Sequence, residues 1–497
     1  MRAFVSLIGA GPGDSRLLTL RGAEALGCSD VVLYDHLANP DLLAHAPQAR
    51  HIYVGKEGYG ESLPQEQINA LLVEQALAGG GQRVARLKGG DVFVFGRGGE
   101  ELLACREAGI PFEVIPGVTS AIAAAAYAGI PVTHRGLSRS FAVVTGQQAP
   151  GSAPSPWPKA DTLVILMGLK TLAAVASELL RSGWPAATPA AVVQWGTTPK
   201  QRTVQSSLQS IAAEAAAAGL GAPAIVVVGR AVELRPRLAW FETRPLSGKQ
   251  IVLTRSREGN SRLARRFLEL GAEVLELALL RYGESRQPQQ LRDALEQLCS
   301  GAFDWLLLTS PQAVAATFGH LAEMGKDARA LAGVRIAAVG PGTAAALGGQ
   351  GLRADFLPSH PGAVPLAEEL PILPGQRALH PTSQLAEAEL EERLLARGAR
   401  VQRAEAYRTL PVTPNAQQAQ ALLSCDAVIC ASASAASALA ALVPDDRKAS
   451  CPVVGMGPQT AKAARQGGFQ RIHLAERPDL DALVAAALEL LTPRPEV

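Results

Sequence analysis

Four glycine-rich turns follow strand-like runs within the first 120 residues, and this recurrence constrains the fold more than any other feature. They are Gly9-Ala10-Gly11-Pro12-Gly13-Asp14, Lys88-Gly89-Gly90-Asp91, Gly96-Arg97-Gly98-Gly99-Glu100 and Pro116-Gly117-Val118-Thr119. Glycine lets a chain turn sharply out of a strand and lets a ligand approach the backbone. In parallel sheets such turns gather at the carboxyl ends of the strands, where ligands bind. The flanking runs Phe4–Ile8, Val31–Tyr34, Arg83–Leu87, Phe112–Ile115, Phe141–Thr145, Leu163–Met167, Ala191–Gln194 and Ala224–Val228 read as strands. Leu17–Leu26, Gln65–Ala78, Gly99–Ala108 and Val118–Ala128 read as helices between them. This alternation predicts α/β layers with largely parallel sheets.

A Pro/Ser/Gly stretch over 149–158 reads as an exposed connection between two lobes. A second break falls at Thr243–Gly248, after which Lys249–Arg255 restarts the pattern. Beyond it lies an internal repeat. Phe303–Pro311 echoes Cys425–Ala433, and Val339–Ala344 echoes Met456–Ala461, at offsets of 122 and 117 residues. Ile251–Tyr282 echoes Ala378–Tyr407 in the same way. A period this long means two similar α/β domains rather than a solenoid.

The 497 residues suggest three or four domains at about 150 residues each. With 48% hydrophobic residues the chain can bury real cores, which excludes disorder of the low-hydrophobicity kind. A net charge of +2 is too balanced for a protein that coats nucleic acid. Six scattered cysteines, Cys28, Cys105, Cys299, Cys425, Cys430 and Cys451, form no metal-ligand spacing and read as reduced thiols. Met1-Arg2-Ala3-Phe4 enters a strand at once, and no apolar run reaches membrane-spanning length. The expectation is a cytoplasmic enzyme with no membrane or nucleic-acid partner and no metal.

A dinucleotide site competes for the first turn, because Asp35 closes the second strand about 22 residues beyond it. Asp14 stands where the third glycine of that fingerprint belongs, however, and Pro12 lacks the N–H that a pyrophosphate would use. The first half instead resembles the tetrapyrrole methylases, specifically the uroporphyrinogen-III C-methyltransferases, over roughly residues 3–235. The resemblance rests on GAGPGD at Gly9–Asp14, LLTLRG at Leu17–Gly22, VVLYD at Val31–Asp35, VGK at Val54–Lys56 and PQEQIN at Pro64–Asn69. It continues through RLKGGDVFVFGRGGEE at Arg86–Glu101, IPFEVIPGVTSA at Ile110–Ala121, GIPVTHRG at Gly129–Gly136 and PAIVVVG at Pro223–Gly229.

The resemblance implies methyl transfer from S-adenosylmethionine to uroporphyrinogen III, giving precorrin-2, in a cleft between two α/β lobes. Carried over by position, the cofactor contacts are Pro12, Gly89, Gly90, Asp91, Val94, Thr119, Ser120, Met167 and Gly196, with Ala224 a weaker addition. Asp35 is implied as proton acceptor and Lys56 as proton donor. Arg97, Arg135, Arg139 and Arg202 sit in or beside the expected cleft loops, where guanidinium groups suit a carboxylate-rich substrate. The chain departs from the family at Glu57–Ser62, which lacks the usual basic, histidine-bearing sequence, and at Gln147, where a histidine is usual.

The second half contains no P-loop, no paired metal ligands and no nucleophile triad spacing. Its hydroxyl-rich strand ends, Thr309-Ser310, Ser432-Ala433-Ser434, Thr343 and Thr460, place hydroxyls and free amides at helix starts, which attract carboxylates. This half resembles uroporphyrinogen-III synthase, through IVLTR at Ile251–Arg255, LLLTSPQAV at Leu306–Val314, AAVGPGTAAAL at Ala337–Leu347, AYRT at Ala406–Thr409 and VVGMGPQTAKAA at Val453–Ala464. ASAS at Ala431–Ser434 departs from the usual Ser-Pro-Ser turn. The resemblance implies cyclisation of hydroxymethylbilane with inversion of the last ring. Tyr407 would assist departure of the hydroxyl, with Thr309, Ser310 and Thr460 contacting substrate.

The expected architecture is therefore an α/β chain in two parts. A two-lobed tetrapyrrole-methylase-like unit (1–245, lobes about 1–146 and 160–245) precedes a synthase-like pair of linked α/β domains (246–497, lobes about 249–282 plus 412–497, and 283–411). The family implies a homodimer through the methyltransferase half. The rival expectation is a methylase of a later precorrin whose second half only binds tetrapyrrole.

Overall fold

A computed structural model of the chain describes residues 3–55, 63–147, 156–254 and 257–492. Lys56, the divergent segment after it and most of the 149–158 connection lie outside the described residues. The chain divides into two compact units, one of Met1–Ile251, Arg262–Leu275 and Val484–Val497, the other of Val252–Ser261 and Glu276–Leu483.

The first sheet contains β1 (Phe4–Gly9), β2 (Val31–Tyr34), β3 (Arg50–Tyr53), β4 (Arg83–Lys88) and β5 (Phe112–Ile115) in the order β3-β2-β4-β1-β5, all parallel. Its strands are apolar on both faces because both are covered. Ile8, Val32 and Leu87 pack into one layer with Leu26 and Leu42, while Val5, Val31 and Val84 pack into the other with Leu72 and Cys105. The chain leaves β1 toward β2 in one direction and leaves β4 toward β5 in the other. β1 and β4 are neighbours, so a crevice opens between their carboxyl ends, as at the switch point of any doubly wound sheet.

The second sheet contains β6 (Phe141–Thr145), β7 (Thr162–Leu166), β8 (Pro189–Gln194), β9 (Arg202–Ser207) and β10 (Ala224–Gly229), ordered β6-β7-β10-β8-β9. Here the expectation of parallel pairing fails: only β6·β7 is parallel, and β10 runs against both β7 and β8. β8 and β9 are joined through residues 195–201, too short for the crossover a parallel pair requires, so they form a hairpin. The helix Ser120–Tyr127 lays Ala121, Ala124 and Ala125 flat against Val164, Val193, Ile225 and Val227 of this sheet. Small side chains let that helix and sheet approach closely.

The remaining strands form two sheets. One is built from β11 (Gln250–Leu253), β12 (Glu273–Glu276), β18 (Ala427–Cys430), β19 (Val453–Gly455) and β20 (Ile472–Leu474), in the order β12-β11-β18-β19-β20. The other comprises β13 (Leu280–Glu284), β14 (Trp305–Leu308), β15 (Arg335–Ala338), β16 (Arg377–Ser383) and β17 (Arg400–Pro411), in the order β13-β17-β16-β14-β15. In the latter only β13·β17 is antiparallel. The repeat seen in sequence is a repeat of structure. Ser310 after β14 and Ser432 after β18 each cap the next helix through their hydroxyl, at 3.0 Å to Ala313 N and 3.2 Å to Ala435 N.

Candidate active sites

The strand ends of the first sheet are closed by glycine. Gly90 N donates to Gly11 O at 2.7 Å and Gly11 N returns a bond to Gly90 O at 3.2 Å, pinning β4's loop to β1's. A Cβ on Gly9 would lie 2.4 Å from Gly117 N, and one on Gly117 only 2.3 Å from Gly90 O. No side chain fits at these crossings. A Cβ at Gly90 (φ +71°), by contrast, would meet nothing nearer than Ser120 N, at 3.9 Å. The crevice is therefore open between Gly90 and the start of helix Ser120–Tyr127. Asp91 ties its walls together: Oδ1 accepts from Phe93 N and Val94 N, and Oδ2 accepts from Gly117 N at 3.0 Å.

The second sheet of the same unit supplies the facing loops. Among the described residues, positive φ occurs at five non-glycine positions: Phe95, Arg97, Met167, Trp195 and Thr197. All five lie in loops that follow β4, β7 or β8. Strained backbone of this kind persists only where neighbours hold it and concentrates at functional sites. The holding contacts are visible. Thr197 N donates to Gln201 Oε1 at 2.8 Å, and Asp14 N donates to Thr197 Oγ1 at 3.1 Å, locking the first glycine turn onto the β8 loop. A Cβ on Gly196 would come within 2.3 Å of Ala124 Cβ. Tyr127 Oη donates to Asp14 Oδ2 at 3.1 Å. Burial works to raise the Asp14 carboxyl, but the Arg16 guanidinium and backbone N–H hold it below its usual range. Burial, with the Asp14 charge, pushes the Tyr127 phenol up to about 12.

Asp35 stands at the end of β2 beside this crevice. Its Oδ1 accepts from Leu37 N and Ala38 N, both at 3.1 Å, with Gly89 N at 3.4 Å. Its Oδ2 lies 3.6 Å from the Arg86 guanidinium. The Oδ1 contacts fix the carboxylate in place. Behind it is a cluster that sequence reasoning missed. Arg86, Lys88 and Glu101 are all buried, and Glu101 Oε1 accepts from Lys88 Nζ at 2.7 Å, Arg86 Nε at 3.2 Å and Gln65 Nε2 at 3.2 Å. Burial and the Arg86 charge push the Lys88 ammonium down from its ordinary value. The available signal was two cations, Arg86 and Lys88, at alternate positions of the otherwise apolar run 84–88.

In the second unit, Tyr407 Oη and Ser310 Oγ are 3.0 Å apart, and burial raises the Tyr407 phenol. The Tyr282 ring meets that of Tyr407 edge-on at 5.6 Å. Thr309, beside Ser310, is 3.0 Å from His380 Nε2, and His380 Nδ1 is 2.8 Å from Glu391 Oε1. His380 and Glu391 were also missed, because a lone histidine in an apolar run carries no spacing signal.

Two family profiles match the chain: tetrapyrrole (corrin/porphyrin) methylases over residues 5–212, and uroporphyrinogen-III synthase HemD over 261–485. A porphyrin biosynthesis protein HemD from Ruminiclostridium josui is 35% identical over 500 residues, covering 98% of each chain. The chain belongs to both families. It joins a tetrapyrrole methylase to a uroporphyrinogen-III synthase. A uroporphyrinogen-III C-methyltransferase from Bacillus subtilis is 40% identical over 66% of this chain and 68% of its own length. A crystal structure of uroporphyrin-III-C-methyltransferase from Thermus thermophilus is 44% identical over 48% of this chain and 98% of that chain, with a TM-score of 0.42.

In the methylase part, Pro12, Gly89, Gly90, Asp91 and Val94 fall on the loops after β1 and β4, and Thr119 and Ser120 at the start of helix Ser120–Tyr127. Met167, Gly196 and Ala224 come from the second sheet, after β7, after β8 and at the start of β10. The open space beside Gly90 and the glycine-only strand crossings fit a ligand held against backbone, as the cofactor contacts require. The four arginines are exposed and dispersed. Arg97 pairs with Glu100 at 2.7 Å, Arg202 caps the helix Ile211–Ala217 through Ala218 O, and Arg139 uses its backbone N–H on Asp161. Arg135 lies in the turn between His134 and Ser138. In the synthase part, Thr309, Ser310 and Tyr407 come together, whereas Thr460 is buried in the first turn of helix Pro458–Gln466. Among the described residues no hydrogen bond joins Thr460 to Tyr407. No helix among the described residues is long and apolar enough to cross a membrane.

Proposed function

We propose that the chain cyclises hydroxymethylbilane to uroporphyrinogen III with inversion of the last ring, then methylates that product to precorrin-2. The supporting observation is the convergence of glycine crossings, positive-φ loops and Asp35 on one crevice at the ends of β1, β4, β7 and β8. Methylase residues 1–245 and synthase residues 246–497 are the corresponding parts, with the lobe boundaries expected from sequence. The product of the second part is the substrate of the first, which gives two families a reason to share one chain.

S-adenosylmethionine, held by Pro12, Gly89, Gly90, Asp91, Val94, Thr119, Ser120, Met167, Gly196 and Ala224, supplies the electrophilic methyl group when bound. The chain's own residues align the macrocycle and handle protons. Asp35, fixed through Oδ1, presents Oδ2 to take the proton that the methylated macrocycle releases. Arg86, held by the buried Glu101, keeps that carboxylate oriented. Lys56 as proton donor and pairing of two chains through the methyltransferase part both rest on the family resemblance. In the synthase part the assignment of Tyr407, 3.0 Å from Ser310 Oγ, to assisting departure of the hydroxyl rests on the family resemblance.

The test is anaerobic incubation of the whole chain with hydroxymethylbilane, with and without S-adenosylmethionine, followed by isomer and mass analysis. Type III macrocycle without the methyl donor and a dimethylated product with it are expected. Asp35→Asn should lower methylation of supplied uroporphyrinogen III by about 100-fold and leave type III formation intact. Unmethylated type I macrocycle alone would remove the synthase assignment. Methylation of a later precorrin but not of uroporphyrinogen III would favour the rival methylase.

A further inference from the structure

We propose that Glu391, His380 and Thr309 form a proton relay that delivers the proton to the departing hydroxyl of hydroxymethylbilane, with Thr309 as the residue that touches substrate. This rests on the synthase reading above. The geometry is a single file with its most buried member, His380, in the middle and half-buried groups at both ends. Glu391 comes from the helix Glu389–Ala396, His380 from β16, and Thr309 from the turn after β14. His380 is 2% exposed, and both ring nitrogens are engaged, Nδ1 by Glu391 at 2.8 Å and Nε2 by Thr309 at 3.0 Å. Thr309 is half-buried, and its hydroxyl gives the Nε2 side of the imidazole a route to the outside.

The charge state of His380 decides which way the Thr309 proton points. Neutral His380, donating Nδ1–H to Glu391, offers Nε2 as an acceptor and draws the Thr309 O–H inward. Imidazolium donates from both nitrogens, so Thr309 accepts from Nε2–H and its own O–H turns outward. From that state Thr309 gives its proton to the hydroxyl oxygen of the substrate as Nε2–H replaces it. The C–O bond breaks with its electron pair on oxygen, water leaves, and the positive charge passes from imidazolium to the pyrrole-stabilised carbocation. Ring closure releases a proton that restores the imidazolium, so the cycle closes without any other reactant.

The surroundings suit this role. The charged groups facing His380 are Glu391 and, behind it, Arg403 of β17, whose guanidinium is 3.9 Å from Glu391 Oε1. On the adjacent helix Ala363–Glu369, Glu368 is engaged by Arg393. Tyr407, whose hydroxyl meets that of the neighbouring Ser310, is a phenol that burial makes a weaker acid still. An imidazolium is far the stronger proton source near neutral pH.

The experiment measures type III formation from hydroxymethylbilane across a pH series for the whole chain and for His380→Gln, Thr309→Val and Thr309→Ser. Methylation of supplied uroporphyrinogen III and thermal melts report folding. The wild-type rate is expected to fall toward alkaline pH. His380→Gln and Thr309→Val should lose about 100-fold at the acid end and lose that pH limb, while Thr309→Ser keeps both rate and limb. A folded His380→Gln with wild-type rate and pH profile overturns the relay, as does a folded Thr309→Ser as inactive as Thr309→Val. Failure of the wild type to make type III at any pH overturns the synthase reading itself, a distinguishable result.

Discussion

The crevice of the methylase part and the hydroxyl cluster of the synthase part are built by opposite means. In the first, backbone shapes the site: Gly9 and Gly117 cross with no room for a Cβ, and Gly90, Met167, Trp195 and Thr197 hold positive φ. In the second, side chains make the cluster, Thr309 and Ser310 at a helix start in hydrogen-bond contact with His380 and Tyr407, and Glu391 beyond His380. A backbone-built site tolerates few residue types, so it leaves long recognisable motifs. A site built from hydroxyls at helix caps uses residues that thousands of unrelated helices also use. This is why the resemblance of the first half is dense in motifs and that of the second is diffuse.

The largest expected effect tests the support behind the first site. Glu101→Ala leaves Arg86 and Lys88 buried without their carboxylate, a change that costs about 3–5 kcal/mol, and should lower the melting transition of the unit that contains it. Glu101→Gln, which keeps a hydrogen-bond acceptor, should cost less.

Next comes Gly117→Ala. Its Cβ would lie 2.3 Å from Gly90 O, and overpacking of this kind costs about 1–3 kcal/mol. Methylation should collapse while type III formation continues. Normal methylation by this variant would break the contrast between the two sites.

Ser310→Ala removes only a cap and the Tyr407 contact, so the expected destabilisation is about 1 kcal/mol. Type III formation should slow, and methylation of supplied uroporphyrinogen III should not.

The smallest effect is an acid limb shared by both units. Asp14 and Glu391 are each held below the usual carboxylate range, against burial, by Arg16 and by His380 respectively. Their folded forms therefore bind protons less readily than the unfolded chain. That stability is present above about pH 4 and is lost as pH falls through the lower folded values. Asp14→Asn should flatten the acid dependence of the first unit's melting transition and leave that of the second.

Much of this was legible in the residues. The strands Val31–Tyr34, Phe112–Ile115 and Phe141–Thr145 were readable to the residue because each is a short run dominated by β-branched and aromatic residues that pack on apolar layers. β3 and β9 were not, since each carries polar residues such as Arg50, His51, Gln205 and Ser206 that break the apolar run. The glycine turns and Asp35 were found from sequence. Arg86, Lys88 and Glu101 stood inside a quoted motif without a role, because nothing in a one-dimensional string says that three charges share a dry interior.

The sequence alone determined the α/β class, the duplicated second half, the glycine-closed strand ends and the two enzyme families. Each is a local or repeated pattern, set by side-chain periodicity or by the absence of a Cβ. Only the tertiary structure decided that β10 runs against its neighbours, that Asp14 locks to Thr197 across 183 positions, and that His380 lies between Glu391 and Thr309. Those facts depend on how distant segments pack, and a hydrogen bond between residues 309 and 380 leaves no trace in the spacing of either.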